Sequence, residues 1–344
     1  MNFTMLLQED DYIVYVGTYG SEQDNTIRVL RLDPIARSLK QLEGVQGIEN
    51  PSYLTVNQSQ EALYAISEVK EGKVTLYEID KPTYHLQEGN SQRGEAVEGP
   101  CYITLDEAED YLFIVNYGGG SLSVYELASD HTIGQLLDQQ TYSVGSRPHT
   151  IVQIPGTSNF VVTDLGLDRI YLYKLINGKL MIINEIAATP GSGPRHAAVL
   201  ADHKKVYIVN EFNSQLSVYS YDSSFSSMEL VQKINTIDKP IGLKNYGADV
   251  HIAYGKSFLY TSNRGHDSIS VFQIDEEGLL IYVDNVSSEG NWPRNFVITP
   301  DEKFLLIANE RTNSIVLMEI GADGLPIYRG EKYTIPAPVC LKTF

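Results

Sequence analysis

Apolar residues along this chain come in short runs, separated by turns that are rich in proline, glycine and polar residues. The clearest unit is an eighteen-residue stretch in which an apolar run follows a proline or glycine. A polar turn comes next, and a second apolar run ends at a residue that is often charged or polar. Each copy reads as two short strands joined by a turn. Six copies occur without internal gaps, at residues 51–68, 100–117, 148–165, 194–211, 247–264 and 293–310.

A third apolar run, with an alternating pattern, follows each copy after a short loop. These runs are KVTLYEID, SLSVYELA, RIYLYKL, QLSVYSYD, SISVFQID and SIVLMEI. A fourth run is weaker and more polar, as suits an outer edge strand. The copies begin 46 to 53 residues apart. Self-similarity at this period, built from four short strands, predicts an all-β fold, namely a β-propeller with four-stranded blades.

The two ends of the chain predict how the ring closes. Near the N-terminus, residues 12–19 and 26–33 match only the second and third strands of a unit, whereas residues 338–344 (PVCLKTF) match the opening of a copy. Pairing the C-terminal strand with the N-terminal strands would complete a seventh blade and cover open strand edges. We therefore predict a single seven-bladed domain that spans residues 1–344.

The variable positions of the repeat point to a site on the ring. Because successive strands of a blade run antiparallel, the start of the first strand and the end of the second lie on the same face, beside the central channel. These are positions 2 and 18 of the repeat. Along the arc from the fourth to the seventh blade they carry five side chains with acid–base or anion-binding chemistry: His149, Arg195, Glu211, Arg264 and Arg294.

Three guanidinium groups together suit a small anionic substrate, because arginine binds carboxylate or phosphate through two parallel hydrogen bonds. His149 and Glu211 are of the residue types that most often transfer protons. Neighbouring arginines would keep Glu211 ionised, whereas burial would favour its neutral form, and the sequence leaves this balance open. Arg195 could instead form a structural ion pair with Glu211.

Other polar residues near the predicted rim are weaker candidates. Glu310 and Glu68 share position 18 and could pair with Arg294. His196 directly follows Arg195, and simple strand alternation predicts that it faces the opposite side of its strand, in a packing or supporting role. We include His196 and Glu310 among the candidate substrate-binding residues.

Composition narrows the class of partner. The net charge of −18 argues against nucleic acid and against anionic membranes, both of which select clustered lysine and arginine. No apolar run approaches the ~18–20 residues of a membrane span, and the first residues lack the features of a secretory signal. Cys101 and Cys340 should be reduced and apart, so we expect a cytoplasmic protein. Scattered histidines without ligand spacing predict no metal, and no cofactor is expected.

At these rim motifs the chain resembles the seven-bladed propeller lactonases, a family that includes bacterial 6-phosphogluconolactonase and fungal 3-carboxy-cis,cis-muconate lactonizing enzyme. The resemblance extends over nearly the whole chain and is most specific at residues 147–150 (RPHT), 193–196 (GPRH), 209–214 (VNEFNS) and 262–272 (SNRGHDSISVF). It implies hydrolysis of 6-phosphoglucono-1,5-lactone without metal or organic cofactor. The functional residues it implies are His149, Arg195, Glu211 and Arg264.

The sequence is also compatible with other functions. A muconate-type cycloisomerase would need the same anion-binding groups and a proton-transfer residue. A lactonase could act on a different lactone, and a propeller without enzymatic activity could present its rim to a protein, because one fold hosts unrelated functions. For the lactonase we expect a small anionic lactone as the partner, with the protein a monomer or a weak homodimer.

Overall fold

The computed structural model describes residues 11–94, 97–238 and 244–344. Within them the chain forms seven antiparallel sheets of four strands each, which confirms the predicted propeller. The first blade contains β1 (Tyr12–Thr18), β2 (Ile27–Asp33) and β3 (Ser38–Val45), together with the last strand of the chain, β28 (Pro338–Thr343).

The other six blades follow in chain order. The second has β4 (Tyr53–Val56), β5 (Ala62–Ile66), β6 (Lys73–Asp80) and β7 (His85–Arg93). The third has β8 (Pro100–Leu105), β9 (Tyr111–Asn116), β10 (Ser121–Leu127) and β11 (Ile133–Thr141). The fourth has β12 (Pro148–Gln153), β13 (Asn159–Asp164), β14 (Arg169–Ile176) and β15 (Lys179–Ala187).

The fifth blade has β16 (Pro194–Leu200), β17 (Lys205–Asn210), β18 (Gln215–Tyr221) and β19 (Met228–Asn235). The sixth has β20 (Tyr246–Ala253), β21 (Phe258–Arg264), β22 (Ser268–Ile274) and β23 (Leu280–Ser287). The seventh has β24 (Pro293–Ile298), β25 (Phe304–Asn309), β26 (Ser314–Ile320) and β27 (Pro326–Thr334). Two short 3₁₀ turns, Ala201–His203 and Tyr254–Lys256, follow β16 and β20.

The ring closes through the last strand, as the sequence predicts. β28 pairs antiparallel with β1, with Val14 opposite Thr343 and Gly17 opposite Cys340. It also contacts the first strands of both neighbouring blades, β24 and β4. Three consecutive side chains of β28 are fully buried: Val339, Cys340 and Leu341. The C-terminal strand is therefore part of the core.

The sheets pack through apolar inner strands and expose polar outer ones. Every residue of β5 and of β25 is buried, whereas β15 and β27, at the edges of their blades, are largely exposed. Buried side chains of neighbouring blades form shared apolar clusters between the sheets. Both cysteines are buried free thiols, as expected. In the described ranges, none of the helical segments has the length and hydrophobicity needed to cross a membrane.

A bulge in the first strand turns two adjacent side chains toward the channel. In six of the seven blades the register of the first strand shifts by one residue near its start. An extra residue breaks the alternation of a strand, so positions 2 and 3 of the repeat no longer face opposite sides. The expectation that His196 faces away from Arg195 is therefore wrong: its ring lies in the channel, 5.1 Å from the ring of His149.

Candidate active site

Five side chains predicted from the repeat meet at one mouth of the channel, and we call them the rim cluster. Three come from the starts of first strands, β12, β16 and β24; one is the last residue of β21, and one directly follows β17. Three of them are at most 5% exposed, so the cluster is recessed in the mouth of the channel. The members of the rim cluster are His149, Arg195, Glu211, Arg264 and Arg294.

Glu211 joins the two central arginines. Its Oε2 atom lies 3.0 Å from Nε of Arg195 and 2.9 Å from an Nη atom of Arg264. Burial raises the pKa of Glu211, but the positive charges of Arg264 and Arg195 outweigh it, and the net shift is downward. The balance left open by the sequence is thus settled in favour of the ionised carboxylate. Glu211 therefore forms one ion pair within its own blade, with Arg195, and one with Arg264 of the neighbouring blade.

Backbone carbonyls fix the two guanidinium groups. Arg195 donates to the carbonyl of Ala248, and Arg264 donates to the carbonyl of Gly247 at 3.0 Å. Burial, followed by the charge of Arg195, lowers the pKa of Arg264 to about 10. Two cations that share one carboxylate leave a surplus positive charge in a water-poor site. Such a site attracts an anion.

Arg294 occupies a neighbouring part of the mouth. Its Nη2 atom lies 3.5 Å from Oε2 of Glu68, which also accepts a hydrogen bond of 3.0 Å from the hydroxyl of Tyr19. The predicted pairing of Glu68 with Arg294 is therefore confirmed. Glu310 adds negative charge near Arg294, but among the described residues the ion pair of this arginine is with Glu68.

His149 is a neutral imidazole beside the arginines. Burial, and then the charge of Arg195, hold the pKa of His149 well below its usual value. Its ring packs edge-on against Tyr117, with the centroids 5.8 Å apart. The Tyr117 hydroxyl accepts a hydrogen bond of 2.8 Å from Arg147, which lies at the solvent edge of the mouth. His149 is therefore available as a proton acceptor at neutral pH.

Position 3 of the repeat supplies a second polar layer directly inside the first, and we call it the inner ring. At its centre, the buried carboxylate of Asp249 accepts hydrogen bonds from Nδ1 of His196 at 2.7 Å and from Nε2 of His251 at 3.0 Å. The inner ring consists of Tyr53, Tyr102, Thr150, His196, Asp249 and Asn295. Apart from His196, the sequence analysis did not identify this layer, although the column of polar and aromatic residues at position 3 is visible in the repeat.

A cavity of about 220 Å³ extends from the inner ring along the first strands, away from the rim cluster. His196, Asp249 and His251 line one side of it. Lys342, from the closing strand, lies with its amine 4.4 Å from the centre of the Tyr53 ring on another side. The polar lining of the channel therefore continues beyond the rim cluster.

The only tryptophan of the chain also belongs to the mouth. The guanidinium carbon of Arg264 lies 5.5 Å from the centre of the Trp292 ring, and that of Arg311 lies 3.3 Å from it. Cation–π contacts of this kind hold both groups in place. Trp292 precedes position 1 of its copy, outside the repeat alignment, so no pattern in the sequence pointed to it.

The described ranges contain no group of three or more His, Cys, Asp or Glu side chains that could hold a metal ion. The site instead combines three arginines with a neutral imidazole and an ionised carboxylate. Such a set can bind an anion, stabilise a developing oxyanion and accept a proton.

Comparison with known proteins gives a consistent picture. The sequence profile of the family described as "Lactonase, 7-bladed beta-propeller" matches residues 13–343. The chain is 32% identical, over 96% of its length and 98% of the relative's, to the 6-phosphogluconolactonase of Bacillus subtilis. A crystal structure from Bacteroides fragilis, named as a candidate 6-phosphogluconolactonase, superposes with a TM-score of 0.89 at 26% identity and covers 98% of both chains.

A second similar structure is the periplasmic gluconolactonase of Pseudomonas aeruginosa. It superposes with a TM-score of 0.91 at 24% identity, covering 97% of this chain and 99% of that one. At this level of identity the likeness shows the fold alone.

Proposed function

The chain belongs to the seven-bladed β-propeller lactonase family, and we propose that it hydrolyses 6-phosphoglucono-1,5-lactone to 6-phosphogluconate at the rim cluster. The observation that carries this proposal is the geometry around Glu211, where two buried arginines share one carboxylate next to a neutral histidine. An acidic protein that concentrates arginines at one recess is suited to an anionic substrate.

The three arginines of the rim cluster would have different roles. Arg264 and Arg294 would hold the substrate phosphate, because their forked donors match its oxygens. Phosphate held at this end fixes the sugar ring over the channel mouth. Arg195, the most deeply buried of the three, would donate to the oxyanion that forms on the lactone carbonyl. Glu310 would contribute to the edge of the phosphate site through its charge near Arg294.

His149 is the better candidate for the base than Glu211. Protonation of Glu211 would weaken two ion pairs, whereas His149 is already neutral. Burial and then the arginine charges lower the pKa of His149. A bound phosphate dianion would offset the arginine charges, so substrate binding would raise the basicity of the imidazole. Glu211 then serves catalysis by holding Arg195 and Arg264 at a fixed separation.

The proposed reaction is direct attack by water. His149 takes one proton from the water as its oxygen bonds to the lactone carbonyl carbon. The tetrahedral intermediate then expels the ring oxygen, which receives that proton from His149, and the ring C–O bond breaks. The second water proton leaves when the product acid ionises. The reaction needs no oxidant, reductant or cofactor, and it would belong to the pentose phosphate pathway in the cytoplasm.

The test is a pH-stat assay of 6-phosphogluconolactone hydrolysis, corrected for the uncatalysed rate. Gluconolactone, which lacks the phosphate, is the comparison substrate, and a carboxylated muconolactone tests the cycloisomerase type. We expect kcat/KM to be higher for the phosphorylated lactone by ~10²-fold or more, since charged hydrogen bonds are worth ~1.5–3 kcal/mol each. Hydrolysis of no phosphorylated or carboxylated lactone above the uncatalysed rate would contradict the proposal.

A matched pair of variants ties the activity to the site. His149→Gln should lower kcat by ~10²–10⁴-fold, the usual contribution of a general base. Arg169→Ala removes a partly exposed arginine from the same blade, whose ion pair with Glu185 lies on the surface, and should leave the kinetics unchanged. Equal activity of both variants would show that the base lies elsewhere.

A further inference from the structure

A line of three buried polar side chains runs inward from the rim cluster: His149, His196 and Asp249. Asp249 is 2% exposed and His196 is 4% exposed. Backbone and side-chain donors surround the Asp249 carboxylate, among them Nδ1 of His196 on Oδ1 and Nε2 of His251 on Oδ2. The amide of Asn295 also donates to Oδ2, and the backbone N–H of Val250 donates to Oδ1 at 3.0 Å.

The carboxylate of Asp249 determines which ring nitrogen of His196 carries the hydrogen. Although burial would raise the pKa of Asp249, the neighbouring histidines hold it well below its usual value, so the group is an acceptor only. Nδ1 of His196 must then carry the hydrogen. Because His196 is neutral above a pKa of about 4, its Nε2 is left with a lone pair. Nε2 is buried and has no hydrogen-bond partner among the described residues.

The ring of His149 could supply a hydrogen-bond donor for Nε2 of His196. Its Nδ1 is also buried without a hydrogen-bond partner among the residues that the structure describes. The two ring centroids lie 5.1 Å apart, with the ring planes at 64°. Two imidazoles joined by a direct N–H···N hydrogen bond of ~2.9 Å have their centroids roughly 5 Å apart. The observed separation of the two rings is therefore the one that such a hydrogen bond requires.

We propose that Asp249 and His196 are positioning residues that set the tautomer of His149. In this arrangement Nδ1–H of His149 donates to Nε2 of His196, and Nδ1–H of His196 donates to Asp249. The lone pair of His149 is thereby placed on Nε2. An aspartate that orients one histidine is a familiar catalytic device; here it acts through a second histidine.

The catalytic consequence rests on the proposed function, in which His149 is the base. The tautomer itself does not rest on it. A neutral histidine can accept a proton only at the nitrogen that lacks one, so a base held in the wrong tautomer is inactive until it flips. As His149 takes a proton from water, the chain of hydrogen bonds would let the Asp249 carboxylate stabilise the developing charge within a site full of arginines.

Two substitutions of His196 separate positioning from packing. In His196→Gln the side-chain amide can still donate to Asp249 and accept from His149, whereas His196→Leu has a similar size and can do neither. Asp249→Asn removes the negative charge that orients the hydrogen bonds from His149 through His196. His251→Gln is the matched control, because His251 bonds the opposite oxygen of the same carboxylate and the amide of the new Gln can still donate to it.

The first measurement is the tautomer, read from the ring ¹⁵N shifts of ¹⁵N-histidine-labelled protein without substrate. His149 is assigned by the signal lost in His149→Gln. We expect the Nδ1–H form in the parent, in His196→Gln and in His251→Gln, and its loss in His196→Leu. Observation of the Nε2–H form in the parent would overturn the proposal whatever the enzymatic activity.

The second measurement is lactone hydrolysis. His196→Leu should lower kcat by ~10²-fold with KM nearly unchanged, as expected for loss of an oriented base, while His196→Gln and His251→Gln should stay near the parent. If kcat of His196→Leu equals that of the parent, or if His251→Gln loses as much as Asp249→Asn, the positioning role is wrong. A parent without lactonase activity would refute the proposed function and leave the tautomer test standing.

Discussion

Arg264→Ala is the most informative single change at the rim cluster. The side chain is 4% exposed and contacts Glu211, the carbonyl of Gly247 and the ring of Trp292. Its removal leaves Glu211 paired with Arg195, so no buried carboxylate is left without a partner. Because burial and the charge of Arg195 oppose the cation at this position, the fold should tolerate the loss.

The size of the effect on binding follows from these contacts. Truncating one partner of a desolvated charge pair costs roughly 2–5 kcal/mol, and the upper part of this range includes the penalty of a charge left unpaired. With Glu211 still paired, we expect about 2–3 kcal/mol, which corresponds to roughly 30–150-fold in affinity. Arg264 would contact the phosphate in both the ground state and the transition state, so loss of this contact should appear in KM more than in kcat.

Trp292 supplies a direct assay of binding. As the only tryptophan, and a neighbour of Arg264, it should report the binding of 6-phosphogluconate by a change in fluorescence. Titration of the parent, Arg264→Ala and Arg169→Ala gives three dissociation constants to set beside KM. The reasoning is refuted if Arg264→Ala binds the product as tightly as the parent, or if it loses kcat while KM stays constant.

Four further outcomes are expected. Glu211→Gln leaves Arg195 and Arg264 buried without their carboxylate and should lower the free energy of unfolding by roughly 3–5 kcal/mol; an unchanged melting temperature would contradict this. His196 has a pKa of about 4 in the fold, below its ordinary value of 6.5. Stability should therefore fall by up to about 3 kcal/mol as the pH drops from 6.5 to 4, with a shallower fall in His196→Gln, and denaturant titrations at several pH values check both. Deletion of residues 338–344 removes the buried side chains of β28, each worth ~1.5–3 kcal/mol, and should abolish the cooperative thermal transition, whereas a parent-like transition would contradict the closure. Hydrolysis should survive exhaustive chelation and dialysis; activity that is lost and then returns with added calcium, zinc or magnesium would overturn the mechanism.

Most of the fold could be read from the sequence because a propeller repeats one local pattern. Each blade needs the same strands and turns, so six copies reinforce one interpretation, and the incomplete unit at the N-terminus identifies β28 as its missing strand. The rim cluster followed from the same logic. Positions 2 and 18 of every copy lie beside the channel, and the chemically distinctive residues stand at those two columns.

The inner ring was missed for a definite physical reason. Strict alternation assigns position 3 to the opposite face of the strand, and only the bulge brings it into the channel. A bulge depends on backbone geometry that neither hydrophobic period nor spacing encodes. The one available signal was compositional, because position 3 carries a polar or aromatic residue in all six copies, among them Tyr53, Tyr102 and Asp249.

In the free protein, the arginine charges at the channel mouth are unfavourable for one another and for protonation of His149. Burial and the charge of Arg195 act against the cation of Arg264, and burial, followed by the arginine charges, keeps His149 from gaining a proton. A bound phosphate would offset the charge contribution to both effects, since it neutralises the arginines and makes protonation of His149 easier. Binding of the substrate phosphate would therefore also make His149 a stronger base. A lactone without an anionic group would bind weakly and would also meet a poorer base, which is why the phosphorylated and unphosphorylated substrates should differ in kcat as well as in KM.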